Sequence, residues 1–156
     1  MSLYCFQHAR TPEQLAEMRR LDAAGICLFC PGHLRRHPRQ RVLLSTAHWT
    51  VTVNEFPYQG TSLHLLLVPH THAADLLDLP GQARDDFWTA LAALARQQGL
   101  RHYGLGARNG DCRLTGATIE HVHVHVLVAS AEEGAPPVRM RFSGQPPGAP
   151  EPPRSA

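Results

Sequence analysis

The chain has 156 residues, enough for one domain with a real core and little room for a second. Its formal net charge is +2, and Lys+Arg (15) barely exceed Asp+Glu (13), so nothing marks it as a nucleic-acid or membrane-surface binder. The basic runs "RRHPRQR" (35–41) and Arg139/Arg141 read as solvated faces; without a leader pattern or a bilayer-length apolar run, the expected location is cytoplasmic.

The elements follow in chain order. "TPEQLAEMRRLDAAG" (11–25) reads as a helix, because Pro12 suits a first turn, Leu15, Met18 and Leu21 keep roughly helical spacing, and Gly25 fits the end. "GICLFCPGH" reads as a tight knuckle. "RVLLSTAHWTVTVNEFPYQG" (41–60) is rich in β-branched and apolar residues and is interrupted at Ser45-Thr46, which predicts two strands or one broken strand. "SLHLLLVP" (62–69) is a nearly continuous apolar run, as in a buried strand.

The segment 72–99 is helical with a break at Pro80-Gly81; Phe87, Trp88, Leu91, Leu94 and Ala95 form the expected apolar stripe and Gly99 the cap. "RHYGLGARNGD" predicts a strand and a loop, "TGATIEHVHVHVLVAS" a strand, and "VRMRFSG" a last short strand. "QPPGAPEPPRSA" cannot bury enough apolar surface to order itself and reads as a disordered tail. The order predicts an α+β fold, a mostly antiparallel sheet with one principal helix against a face. Its parts are an N-terminal helical segment (1–25), a main domain (26–143) and the Pro-rich tail (144–156).

Four cysteines occur. The close pair Cys27/Cys30 suggests metal in a reducing compartment, with two buried thiols as the plainer alternative. Cys5 and Cys112 read as ordinary thiols.

The run "EHVHVHVL" (120–127) carries the chemistry. Side chains alternate across a strand, so His121, His123 and His125 would share one face while Val122, Val124 and Val126 pack into a core. A solvated polar face explains this poorly, and a tag would not be internal and interleaved. Two readings remain: a three-histidine metal site, or nucleophilic catalysis in which one imidazole attacks and its neighbours hold its tautomer.

"HVHVHVL" resembles, position by position, the signature of the histidine triad (HIT) superfamily. "SLHLLLVPHTH", "NEFPY" and "TGATIEH" are similar to further segments of that family, in the family's order, so that the resemblance covers roughly residues 26–130. It implies a HIT-like α+β domain acting as a nucleotide hydrolase or nucleotidyl transferase at an α-phosphate. His123 would be the nucleophile that forms a nucleotidyl-histidine intermediate, His125 would assist at the phosphate or leaving oxygen, and His64 would support it. Asn54 matches a ribose contact, with turn capping as the plainer role, and Asn109, Thr115 and Thr118 are candidate phosphate contacts; Arg108 adds charge there or is plain surface.

In one branch of the family a Cys-x-x-Cys pair, a Pro-x-x-His histidine and the first triad histidine hold structural zinc. The matching residues are Cys27, Cys30, His72 and His121, a closed tetrahedral donor set that leaves no open position for a water. His33 and His70 are rival ligands by proximity. His8, His37, His48 and His102 match nothing and read as surface residues. The resemblance also implies a homodimer and a nucleotide or nucleotide-conjugate ligand, with no nucleic-acid or membrane partner. The chain departs from the family pattern at "VLVAS", where Pro-Arg is common, at Ala117, where Gln is usual, and in a loop about two residues longer before the triad. These changes lie beside the expected phosphate and bear on the substrate. The alternative function is a non-catalytic, zinc-stabilised nucleotide-binding or interaction module.

Overall fold

The structure, a computed structural model, describes residues 2–144. Five strands form one antiparallel sheet in the order β1-β2-β3-β5-β4: β1 Arg41–Ser45, β2 Trp49–Val53, β3 Thr61–Pro69, β4 Gly104–Ala107 and β5 Val124–Ala129. Four helices accompany it: α1 Pro12–Ala23, α2 Pro31–Leu34, α3 Gly81–Gln98 and α4 Cys112–Thr115. The expected α+β sheet with α3 as its principal helix is the observed one.

Both faces of the sheet are covered, which is why β3 reads as an unbroken apolar run. Leu65 and Leu67 of β3, with Val124 and Val126 of β5, point to α3 and pack against Ala83, Ala90, Leu91 and Leu94. Leu66 and Val68 point the opposite way, into a second core with Tyr4, Met18, Leu21, Phe29 and Ile119. Trp49 is fully buried and donates its indole N–H to the Ala83 carbonyl at 2.6 Å. Fully burying such side chains stabilises by about 1.5–3 kcal/mol each. One member of the expected α3 stripe lies elsewhere: Trp88 is 66% exposed, because the helical turn that brings Phe87 to Trp49 rotates the next residue outward.

Helix α1 starts where Thr11 accepts the Gln14 N–H and Pro12 takes the first turn. It stops before Gly25, whose φ of +64° suits glycine. Glu17 ties it down, accepting from Arg20, His37 and Arg39 at 2.7, 2.8 and 3.2 Å. His37 is therefore no free surface residue.

The N-terminal segment docks beside the loop that leads to β5. Tyr4 bridges to Ile119, the Cys5 N–H reaches the Thr118 carbonyl, and the Glu120 N–H reaches the Leu3 carbonyl. Cys5 and Cys112 are joined by a disulfide across 107 residues of sequence, not left as separate thiols; docking of the segment brings their Cα atoms to 6.1 Å. His8 is 1% exposed, with Nδ1 at 2.8 Å from the Ala117 carbonyl, because the same docking carries it inward. Two expected strand limits also change. Residues 138–144 form no strand, and β5 begins only at Val124. The expectation of a disordered tail falls on 145–156, outside the described residues. No helix among the described residues is long and apolar enough to cross a membrane.

Candidate active site and metal centre

The chain turns off the sheet just before β5, and that turn separates the three histidines. The Val122 N–H bonds to the Ala73 carbonyl, and His121 Nε2 lies 2.9 Å from the Pro69 carbonyl. His121 is thus drawn to the end of β3, away from the strand face that His125 occupies. All three are buried.

His121 belongs to a cluster with Cys27, Cys30 and His72 whose ligand atoms all lie within 4.8 Å of one another. A carbonyl only accepts, so His121 carries its proton on Nε2 and turns the Nδ1 lone pair toward Cys27 Sγ at 3.4 Å and Cys30 Sγ at 3.8 Å. His72 Nδ1 lies 3.5 Å from Cys30 Sγ. The Cys27 thiol is pushed up to about 12 by burial and by its bond to Cys30; a metal at this point would hold it as thiolate. Two thiolates and two imidazoles, that of His121 with a fixed tautomer, suit a tetrahedral structural metal, and this donor set fits zinc. The rival ligands lie elsewhere: His70 Nε2 contacts Thr50 Oγ1 at 3.0 Å, and His33 is exposed on α2.

His123 opens on a cleft of about 1740 Å³. Its Nδ1 lies 2.8 Å from the His121 carbonyl, which places the proton there and leaves Nε2 with its lone pair. Phe29 packs against the ring, with centroids 4.8 Å apart. Burial pushes His123 down to about 4, so the ring is neutral near pH 7.

His64 and His125 form a relay with a defined direction. The Tyr58 backbone N–H donates to His64 Nδ1 at 3.0 Å, so the His64 proton sits on Nε2. That Nε2–H points at His125 Nδ1, 2.8 Å away, which places the His125 proton on its own Nε2. Burial holds His64 down at about 3, with Arg10, His123 and Arg108 adding to it, and holds His125 well below its usual value. Both rings are neutral, and His125 presents an N–H beside Arg108, whose Nη1 lies 3.4 Å from it.

Of the other expected site residues, Asn54 and Thr118 line the cleft. The Asn54 amide nitrogen lies 3.1 and 3.4 Å from the two His64 ring nitrogens, while its oxygen accepts the Phe56 N–H. Asn109 and Thr115 are engaged outside the cleft: Asn109 Oδ1 accepts the Leu76 N–H, and Thr115 Oγ1 donates to the Asp111 carbonyl. Sequence reasoning missed Tyr58, whose ring stacks on His125 with centroids 5.5 Å apart, and Arg10, whose guanidinium lies 4.5 Å from the Tyr58 ring centre. It left Arg141, which lines the cleft, on a solvated face. No local periodicity marks these residues.

The fold and site define an α+β domain with a buried histidine relay beside a Cys2His2 corner. The HIT domain family profile matches residues 35–132, and the chain belongs to that family. No curated protein sequence matches significantly. Among solved structures, a HIT family hydrolase from Clostridium thermocellum is 23% identical, with 70% of this chain and 95% of that chain covered at a TM-score of 0.55. A histidine triad nucleotide-binding protein from Candida albicans is 20% identical, with coverage of 77% and 86% and a TM-score of 0.54. A Zn-bound histidine triad family protein from Mycobacterium smegmatis is 20% identical, with coverage of 73% and 82% and a TM-score of 0.50. At these identities they share the fold.

Proposed function

We propose that the chain is a nucleotide hydrolase or nucleotidyl transferase that acts at an α-phosphate through a covalent intermediate on His123. The observation that carries this reading is the fixed tautomer of His123: Nδ1–H is engaged by the His121 carbonyl, and Nε2 keeps its lone pair on a ring that lines the cleft. A neutral imidazole held this way is a competent nucleophile near neutral pH. In the first step Nε2 forms a P–N bond, the bond from phosphorus to the leaving atom breaks, and the leaving atom takes the bond pair while it accepts a hydrogen bond from His125 Nε2–H; a leaving group that needs a proton takes it from solvent. In the second step water, or another acceptor hydroxyl, attacks phosphorus and loses its proton to solvent, and the P–N bond breaks with its pair returning to Nε2, which releases His123 neutral. His64 acts through His125 by holding its Nδ1.

Cys27, Cys30, His72 and His121 hold one structural zinc in this reading, which fixes the corner from which His123 projects. The metal supplies rigidity and takes no part in the chemistry. Asn54 and Thr118 serve the nucleotide from the cleft wall; Asn109 and Thr115, which the family resemblance would put at the phosphate, are engaged outside the cleft and take no part in this reading. Asn54 also packs on His64. A two-fold dimer completes the proposal, and light scattering tests it. The activity is tested by incubating the protein with an adenosine phosphoramidate and with a diadenosine polyphosphate, then chromatography of the products. Release of AMP from either supports the reading; no product from either, with nucleotide still bound, favours a binding module.

A further inference from the structure

The relay that fixes His125 creates a mismatch with its neighbour. Tyr58 N–H, His64 and His125 together put a proton on His125 Nε2. Arg108 has only donors, and its Nη1 lies 3.4 Å from that same nitrogen. Two donors facing each other satisfy neither, and they point to a shared acceptor between them. A second feature lies alongside. Arg108 Nη2 donates to the Tyr58 hydroxyl at 3.0 Å and Nε to the Arg141 carbonyl at 2.7 Å, which carries the stretch after β5 to the cleft. Arg10 reaches the other side of Tyr58 and donates to the Phe56 carbonyl.

Arg10 and Arg108 therefore flank Tyr58, Arg108 also lies against His125, and Arg141 lines the same cleft. Among the described residues, no carboxylate makes an ion pair with any of them. Of the carboxylates in the cleft wall, Glu17 and Glu55 are both engaged by Arg39, and Glu13 is exposed on the first turn of α1. Arg108 and Arg141 lie close enough to the exposed Arg10 to act on it as like charges. An uncompensated cationic cluster around a buried donor is what a multiply charged anion relieves. Arg10 and Arg141 lie outside the matched family domain, residues 35–132, so this feature belongs to the chain's own flanking segments.

We propose that Arg10, Arg108 and Arg141 form an anion subsite on the leaving-group side of His125, and that the substrate is a nucleotide joined to a further phosphate group rather than to an uncharged alcohol or amine. The proposal rests on the reading of His123 as nucleophile for its place in the reaction, but the binding of an anion there does not depend on turnover. Arg108 and His125 would share one phosphate oxygen, and Arg10 and Arg141 would neutralise the phosphates beyond it.

The test uses the full-length, metal-loaded protein and inorganic tripolyphosphate as the probe. Calorimetry on wild type should show saturable binding, weakened by about tenfold or more in R10A and again in R141A. R141A changes an exposed side chain and keeps the test valid if R10A folds poorly. In parallel, the ratio of kcat/KM for a diadenosine polyphosphate to that for an adenosine phosphoramidate should fall by about tenfold in either variant. No binding by wild type, or affinities and ratios unchanged in both variants, would overturn the subsite. Tripolyphosphate binding that depends on both arginines, in a protein that turns over neither nucleotide, would keep the subsite and remove the catalytic reading.

Discussion

Replacing His64 by alanine tests the relay that governs His125. His64 is 2% exposed, accepts the Tyr58 N–H at 3.0 Å and gives its own proton to His125 Nδ1 at 2.8 Å. H64A removes both bonds. The Tyr58 N–H loses its acceptor, and a buried amide without a partner costs about 1–3 kcal/mol of stability, with a further cavity term for the missing ring. His125 then exchanges between tautomers, so the hydrogen bond it donates to the leaving atom is no longer aimed. A positioned donor to developing charge is worth about 10²–10³-fold, and losing aim but not the group should forfeit the lower end, about 100-fold in kcat. The assay compares two leaving groups on one nucleotide. A p-nitrophenolate spreads its charge over the ring and should lose little beyond what misfolding accounts for; an alkoxide concentrates its charge on the oxygen and should lose the full factor. Equal losses on both substrates would refute the claim that His64 acts through the hydrogen bond from His125.

The purified protein should carry about one zinc per chain, and C27S or H72A should lose the metal together with much stability, since metal binding is coupled to folding; unchanged melting after chelation would count against this. Replacing Cys5 and Cys112 together by serine should lower stability by about 2–5 kcal/mol, because the link closes a loop of 107 residues, and denaturant titration with and without reductant reads it. Arg20, followed by His37 and Arg39, holds the Glu17 carboxyl down at about 2 against the effect of burial. Its stabilisation is present above its ordinary value of 4.5 and is lost as pH falls toward 2, so E17Q should melt earlier at neutral pH and show a flatter acid limb. We expect about 1–2 kcal/mol, less than the full shift implies, because Arg20 and Arg39 are more than half exposed (58% and 51%) and screened by solvent.

The candidate site was legible where it lies in short-range pattern. His123 and His125 sit two apart and Cys27 and Cys30 three apart; the fold gathers the two cysteines with His72 and His121 and sets His123 and His125 on the cleft. The alternation over 120–127 also placed Val124 and Val126 in the core, but it extended the strand too far. Bonds from Val122 to Ala73 and from His121 to Pro69 pull the chain off the sheet, and those partners lie about fifty residues away in sequence, beyond any local signal. The N-terminal docking was hidden for the same reason. Nothing within residues 3–10 announces that Tyr4 pairs with Ile119, that Cys5 meets Cys112, or that Arg10 reaches Tyr58. Arg108 and Arg141 resemble solvent-facing charges in composition, and only the tertiary cleft distinguishes them. Trp88 erred in the other direction: an aromatic residue beside an apolar stripe reads as core, yet one step around α3 leaves it outside.

The central claim is that His123 becomes covalently attached to the nucleotide. Wild-type protein mixed with a diadenosine polyphosphate or an adenosine phosphoramidate, quenched within the first turnover and digested under conditions that preserve phosphohistidine, should yield one adenylated peptide with the nucleotide on His123. H123A should yield none, lose turnover, and keep its metal and melting temperature. A nucleotide found on His121 or His125 instead, or an H123A protein that turns over at the wild-type rate, would contradict the account.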